Sequence, residues 1–201
     1  MSGAGSASPI SEALSCNVRP FGKSERLRMP GRARHNHSTR SQSPRLETLP
    51  TTFEKLNLKD QRHILVLNAP ESFELEMSGL RGVTIWRDLP KADRVGFSLA
   101  FVTKQDEVDA ITPKVAKKAE GDAAIWFAYP KGTSKKYKSE INRDRGWKVL
   151  GRFGFEPVRA VSIDDDWSAL RFRRVEFIKS LTRDRAHTLS AAGRARSKQK
   201  Q

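Results

Sequence analysis

One stretch of this chain concentrates groups that could do chemistry. Lys131-Gly132-Thr133-Ser134-Lys135-Lys136-Tyr137-Lys138 places four lysines, two hydroxyls and a glycine within eight residues, and Asn142 and Arg143 follow closely. Ammonium groups, hydroxyls and the N–H groups of a glycine-containing loop are the donors a phosphate requires, most of all where the loop runs into a helix amino terminus. The spacing G-x-x-x-x-G-K-[ST] is absent, so triphosphate hydrolysis has no support. An anion-binding loop (Lys131, Gly132, Thr133, Ser134, Lys135, Lys136, Lys138, Asn142, Arg143) and an ordinary lysine-rich surface loop both stay open.

Asp164-Asp165-Asp166 is the second cluster. Adjacent side chains of an extended strand point to opposite faces, so three consecutive carboxylates cannot converge on one cation unless a turn splays them. The run reads instead as a hairpin turn with Asx hydrogen bonds, with Trp167 packed beneath it and Asp164 or Asp166 paired with Arg171, Arg143 or a loop lysine. Asn68 and Glu71 follow an apolar strand and supply further polar contacts at a sheet edge. His35, His37, His63 and His187 show no ligand spacing on a helix, only His63 falls in the expected core, and the one cysteine, Cys16, falls in the head. Neither a metal site nor a Cys/His nucleophile is expected, and no cofactor.

Strands must hold these groups. His63–Leu67 is a β-branched and leucine run ended by Asn68-Ala69-Pro70, and Val83–Trp86, Gly96–Val102 and Ala123–Tyr129 are further apolar segments. Between the third and fourth, Thr103–Ala119 has helical spacing broken at Thr112-Pro113, which predicts a second helix capped by Thr112. Asn142 is expected to cap a helix carrying Asp144, Trp147 and Leu150 up to Gly154, with Trp147 in the core. Val158–Ile163 and Ser168–Val175 alternate as the arms of a hairpin. The order strand, strand, strand, helix, strand, helix, hairpin predicts an α/β, three-layer Rossmann-like domain, its sheet mostly parallel with a C-terminal antiparallel hairpin.

Charge is unevenly spread. The chain carries +15 over 201 residues: +5 in residues 1–50, +4 in 51–178 and +6 in 179–201. Within the middle, 131–152 alone holds +6, leaving the rest of that segment at −2, so the basic excess is a local footprint for a polyanion or phosphate. The Ser- and Arg-rich head, interrupted by Pro9, Pro20, Pro30 and Pro44, reads as a disordered tail over 1–45; its composition also suits a transit peptide, and Met1 and Met29 are alternative starts. The α/β domain is expected over 46–178 and a basic tail over 179–201. The longest apolar run is Ala123–Tyr129, far short of the ~18 residues of a membrane span. A lone cysteine fits a reducing compartment, so a cytoplasmic location is expected.

The segments "LNAPESF", "WFAYPKGTSK", "NRDRGW" and "IDDDWSALRFRR" together resemble a family of small bacterial proteins known only as a domain of unknown function, over about residues 55–178. The element order is also similar to the later half of class I methyltransferases. That resemblance implies a fold and no reaction. Those enzymes carry a glycine-rich turn after the first strand, whereas this chain has Asn68-Ala69-Pro70-Glu71-Ser72-Phe73, with Phe73 crowding the cofactor's place and Asp88 a weak counterpart of the acid after the second strand. The expected role is a non-catalytic binding protein that meets nucleic acid or another phosphate-bearing partner through its basic loop. The alternative is a divergent methyltransferase-like enzyme acting on a small molecule through Asn68, Glu71, Lys131, Ser134 and Asp164.

Overall fold

The computed structural model describes residues 50–181 and 185–198. The expected head, 1–45, lies outside the described residues. A short helix α1 (Thr52–Lys55) opens the fold, closed by a capping box in which Thr51 Oγ1 accepts from Glu54 N and Glu54 accepts from Thr51 N. Then come β1 (His63–Leu67), α2 (Glu74–Ser78), β2 (Thr84–Trp86), β3 (Val95–Phe101), α3 (Gln105–Lys118), β4 (Ala119–Pro130), α4 (Lys148–Arg152), β5 (Phe155–Ser162), β6 (Trp167–Arg174) and α5 (Ala191–Lys198).

The six strands form one sheet in the order β2-β1-β3-β4-β6-β5. β1 is parallel to β2 and β3, and β3 to β4, while β6 runs antiparallel between β4 and β5. The chain leaves β1 toward β2 and returns on β1's other side as β3, so the strand order reverses at the ends of β1 and β3; such a reversal defines the ligand crevice of open α/β sheets. This is the expected mixed, Rossmann-like α/β architecture.

Apolar side chains fill both faces, as they must where helices cover both. On one, Leu65, Ile125, Phe127 and Phe172 pack with Val108, Ile111 and Val115 of α3 and Leu150 of α4. On the other, Ile64, Val66, Leu99 and Trp126 meet Phe53 of α1 and Met77 of α2. Each such fully buried side chain contributes about 1.5–3 kcal/mol through the area it removes from water.

Several elements differ from expectation. α3 is continuous through Pro113, with no second helix capped by Thr112. The ring deprives only the Asp109 carbonyl of its helical partner, and Asp109 is exposed, where water serves instead. β4 starts four residues early and pairs irregularly with β3 between Val95 and Phe97. β5 begins before Pro157, tolerated because the strand lies at the sheet's edge and its register shifts between Pro157 and Arg159. The helix expected from Asn142 starts only at Lys148. Asn142 Oδ1 accepts from Asp144 N and Arg145 N at 2.9 Å each, closing a turn, and Gly146 at φ +110° redirects the backbone; a Cβ there would strike Ile141. Trp147 is buried as expected, its indole N–H donating to the Asn142 carbonyl at 2.8 Å.

The largest departure is at the C-terminus. Residues 185–198, expected as part of a basic tail, are an element of the fold, with Thr188 and Ser190 buried. What holds them is Glu156 of β5, 1% exposed: its carboxylate accepts from Leu189 N at 3.0 Å, Ser190 N at 2.6 Å and Ser190 Oγ at 2.7 Å. Ser190 Oγ in turn accepts from Gly193 N at 3.0 Å and so caps α5, while Arg196 donates to the Val175 carbonyl at 2.6 Å. A buried carboxylate is tolerable only with such donors, and the positive end of α5 adds to them. The docked chain passes so close to Gly151 that a Cβ there would overlap the Leu189 carbonyl.

Candidate functional site

Two places gather the polar groups. The first is the carboxyl edge of the parallel strands. Asn68 closes β1 with φ +53°, a left-handed conformation that Asn adopts more readily than most residues, so the tight turn there is made without glycine. Its Nδ2 donates to the Phe101 carbonyl at 3.3 Å, tying the ends of β1 and β3 together at the strand-order reversal. Phe73, Phe101 and Trp167 lie beside it in ring contact, centroids 4.9 Å and 5.0 Å apart, each buried. Tyr137 continues the row against Trp167 at 4.9 Å.

The loop after β4 is clamped onto the β5–β6 turn. Lys131 N donates to the Asp166 carbonyl at 2.7 Å and Lys131 Nζ to the Asp164 carbonyl at 2.5 Å. Ser134 Oγ donates to Asp166 Oδ1 at 2.6 Å and accepts from Tyr137 N at 3.1 Å. Asp164 Oδ1 accepts from Asp166 N and Trp167 N, which is the expected Asx turn. Asp166 thus finds Ser134, not Arg143 or Arg171, and a carboxylate occupies the middle of the lysine-rich loop. Gly132, Thr133, Lys135 and Lys138 are exposed. The Lys136 ammonium sits 5.2 Å from the centre of the Tyr137 ring; it is held above its ordinary pKa first by Tyr137, then by the charges of Asp166 and Glu71. Glu71, exposed, opens the turn Glu71–Phe73.

Arg171 is not brought to this cluster. It lies opposite Trp126 on β6, its pKa lowered mainly by burial, with Asp122 raising it and Arg173 and Arg159 lowering it. Asp122 itself accepts from Arg173 Nε and Nη2, at 2.5 Å each.

The second place is an open groove of about 1100 Å³ between α3, the segment 143–153 and the docked C-terminal chain. Arg143, Arg145, Lys148, Arg152 and Arg194 line it, with Asp109 and Asp144 as the only carboxylates among the described lining residues. Arg143 is the expected site residue found here; Asn142 supports it by closing the turn beneath. Arg194 is aimed by its own bonds to the Thr188 and Leu189 carbonyls at 3.0 and 3.1 Å. Tyr129 is buried against the Trp147 ring, centroids 5.8 Å apart, its pKa raised first by that burial, lowered by Arg143 and raised by Asp144.

Sequence reading missed Arg194, Phe153 and Glu156. A faint signal existed for the last: Phe155-Glu156-Pro157 puts one acid in an apolar strand, and Ser190-Ala191-Ala192 is a capped helix start. Among the described residues no cluster of three His, Cys, Asp or Glu could hold a metal ion, and no helix is long and apolar enough to cross a membrane.

No family model and no curated protein matches the chain. Solved structures resemble its fold distantly. A SAM dependent methyltransferase from Aquifex aeolicus shares 13% identity over 61% of this chain and 87% of its own, with a TM-score of 0.40. A chain described as a type 11 methyltransferase from Sulfolobus solfataricus shares 10% over 63% and 89%, at 0.39. The Methanococcus jannaschii fibrillarin pre-rRNA processing protein shares 11% over 63% and 70%, at 0.38.

Proposed function

We propose that this chain is a Rossmann-like binding protein that holds a phosphate-bearing polymer in its basic groove and performs no chemistry at the sheet edge. The observation that carries this reading is the contrast between the two places. At the edge, Asn68 bonds across the reversal point, Phe73, Phe101 and Trp167 pack against one another in the core, and Ser134 and Lys131 are engaged by the β5–β6 turn. In the groove, five cations face two carboxylates around open space. On this reading the folded unit runs through α5 to residue 198, and Lys135 and Lys138 add only long-range attraction.

The test is fluorescence anisotropy of the full chain with a labelled oligonucleotide at low salt. Replacing Arg143, Arg145, Lys148 and Arg152 together by glutamine is expected to weaken binding by at least about tenfold, through lost counterion release. Equal binding by this variant would refute the assignment.

A methyltransferase-like enzyme is the second reading. In its favour are the strand order with the closing β5–β6 hairpin and the left-handed Asn68 at the end of β1, a backbone feature a cofactor turn can use. The residues present do not fit an adenosyl group there, because Phe73, Phe101 and Trp167 occupy the edge and Asp88, after β2, pairs with Lys91 at 3.4 Å. Equilibrium dialysis with S-adenosylmethionine decides the matter: saturable uptake supports the enzyme, and no uptake eliminates it.

A further inference from the structure

We infer that the polymer held in the groove is a single-stranded nucleic acid, with one base stacked on Phe153 and its phosphates on the surrounding arginines and lysine; this rests on the binding reading above and names its ligand. Three observations lead there. Phe153 is 42% exposed at the groove, whereas Phe53, Phe73, Phe97, Phe101, Phe127 and Phe172 are all within 2% of complete burial. Its place is fixed rather than frayed: it ends α4 with its N–H on the Leu150 carbonyl at 3.1 Å, and Gly154 turns the chain away at φ +78°. An exposed ring in a groove that Arg152 and Arg194 also line is a stacking platform among cations, the combination by which single strands are bound irrespective of sequence.

The second observation is the mixed lining. Asp109 and Asp144 would repel a polymer that is phosphate throughout. A nucleotide strand offers them donors, from base amino groups and ribose hydroxyls, and Gln105, whose Nε2 donates to Asp109 at 3.1 Å and to the Gly146 carbonyl at 2.9 Å, holds one of these acceptors in place. The third is the concavity: at about 1100 Å³ the groove is at the upper end of small-ligand pockets and takes a splayed strand, whereas a duplex keeps the faces of its bases covered by their neighbours.

The experiment compares the full chain's affinity, by anisotropy and by competition, for a short mixed-sequence single strand, for a hairpin duplex of equal charge and for inorganic polyphosphate. The single strand is expected to bind at least about fivefold more tightly than the other two at the same salt, and Phe153→Leu to reduce that binding roughly 5- to 100-fold, the range for one lost stacked base, without changing polyphosphate binding or the circular dichroism spectrum. Equal affinity for all three polymers, or a single-strand affinity indifferent to Phe153→Leu, overturns the inference while leaving the basic groove as a general polyanion site. If no polymer binds, or the fourfold glutamine variant binds as the parent does, the underlying reading falls as well.

Discussion

Tyr129 offers a handle on the groove that is independent of any ligand. Burial raises its phenol above the ordinary value, so the folded protein keeps the proton at a pH where the unfolded chain has released it. Stability from this residue is therefore fully present below about pH 10, the unfolded value, and is lost as pH rises through the folded one. Urea midpoints measured between about pH 8 and about pH 11 should fall less steeply for Tyr129→Phe than for the parent; identical slopes would place the tyrosine in water. Ser134 separates the two candidate places. Ser134→Ala removes the bond to Asp166 and is expected to cost about 1 kcal/mol in urea denaturation, leaving oligonucleotide affinity within about twofold. A large loss of affinity would return the anion site to the lysine loop. At this scale the sequence displayed the groups but not their partners: Ser134 and Asp166 lie 32 residues apart, and only the antiparallel pairing of β4 with β6 brings them together. The Asx turn at Asp164 was legible because it is local.

Among the elements, the C-terminal segment is the one on which the groove depends. Leu189 and Ser190 are fixed by the Glu156 carboxylate, and Arg194 follows them into the groove wall. Glu156→Gln keeps one acceptor but turns an amide N–H toward a backbone N–H, so roughly 2 kcal/mol of docking free energy should be lost. Amide hydrogen exchange should then accelerate through 185–198 while β3 and β4 stay protected, and oligonucleotide binding should weaken several-fold. Unchanged exchange in that segment would mean that other contacts hold it. Gly151→Ala, which leaves Glu156 intact and obstructs the Leu189 carbonyl, should give the same pattern by a different route. The strands were readable from apolar runs, and the hairpin from alternation. The helices were read less well: α3 runs through Pro113 because the bond it forfeits lies on the exposed side, and α4 starts late because Asn142 and Gly146 spend six residues on a turn. α5 was hidden because its arginines and lysine give it the composition of a solvated tail; its anchor, Glu156, lies more than thirty residues away.

For the molecule as a whole, the +15 charge is distributed so that the terminal regions attract any polyanion, and the question is whether the groove adds a localised site. The order of elements along the chain and the local basic excess at 131–152 were both evident from the sequence, but not that this excess divides in two, Lys131 bonded to the β5–β6 turn and Arg143, Arg145, Lys148 and Arg152 lining a groove with Arg194. The most direct test is a salt titration of single-strand binding by the full chain beside its Arg143→Gln, Arg145→Gln, Lys148→Gln, Arg152→Gln variant, both retaining the basic ends. The groove account predicts that log affinity falls more steeply with log salt for the parent, the two slopes differing by about 3, as four phosphate contacts at about 0.7 each require. Parallel lines of equal affinity would show that the terminal charges do the binding and would contradict the central claim.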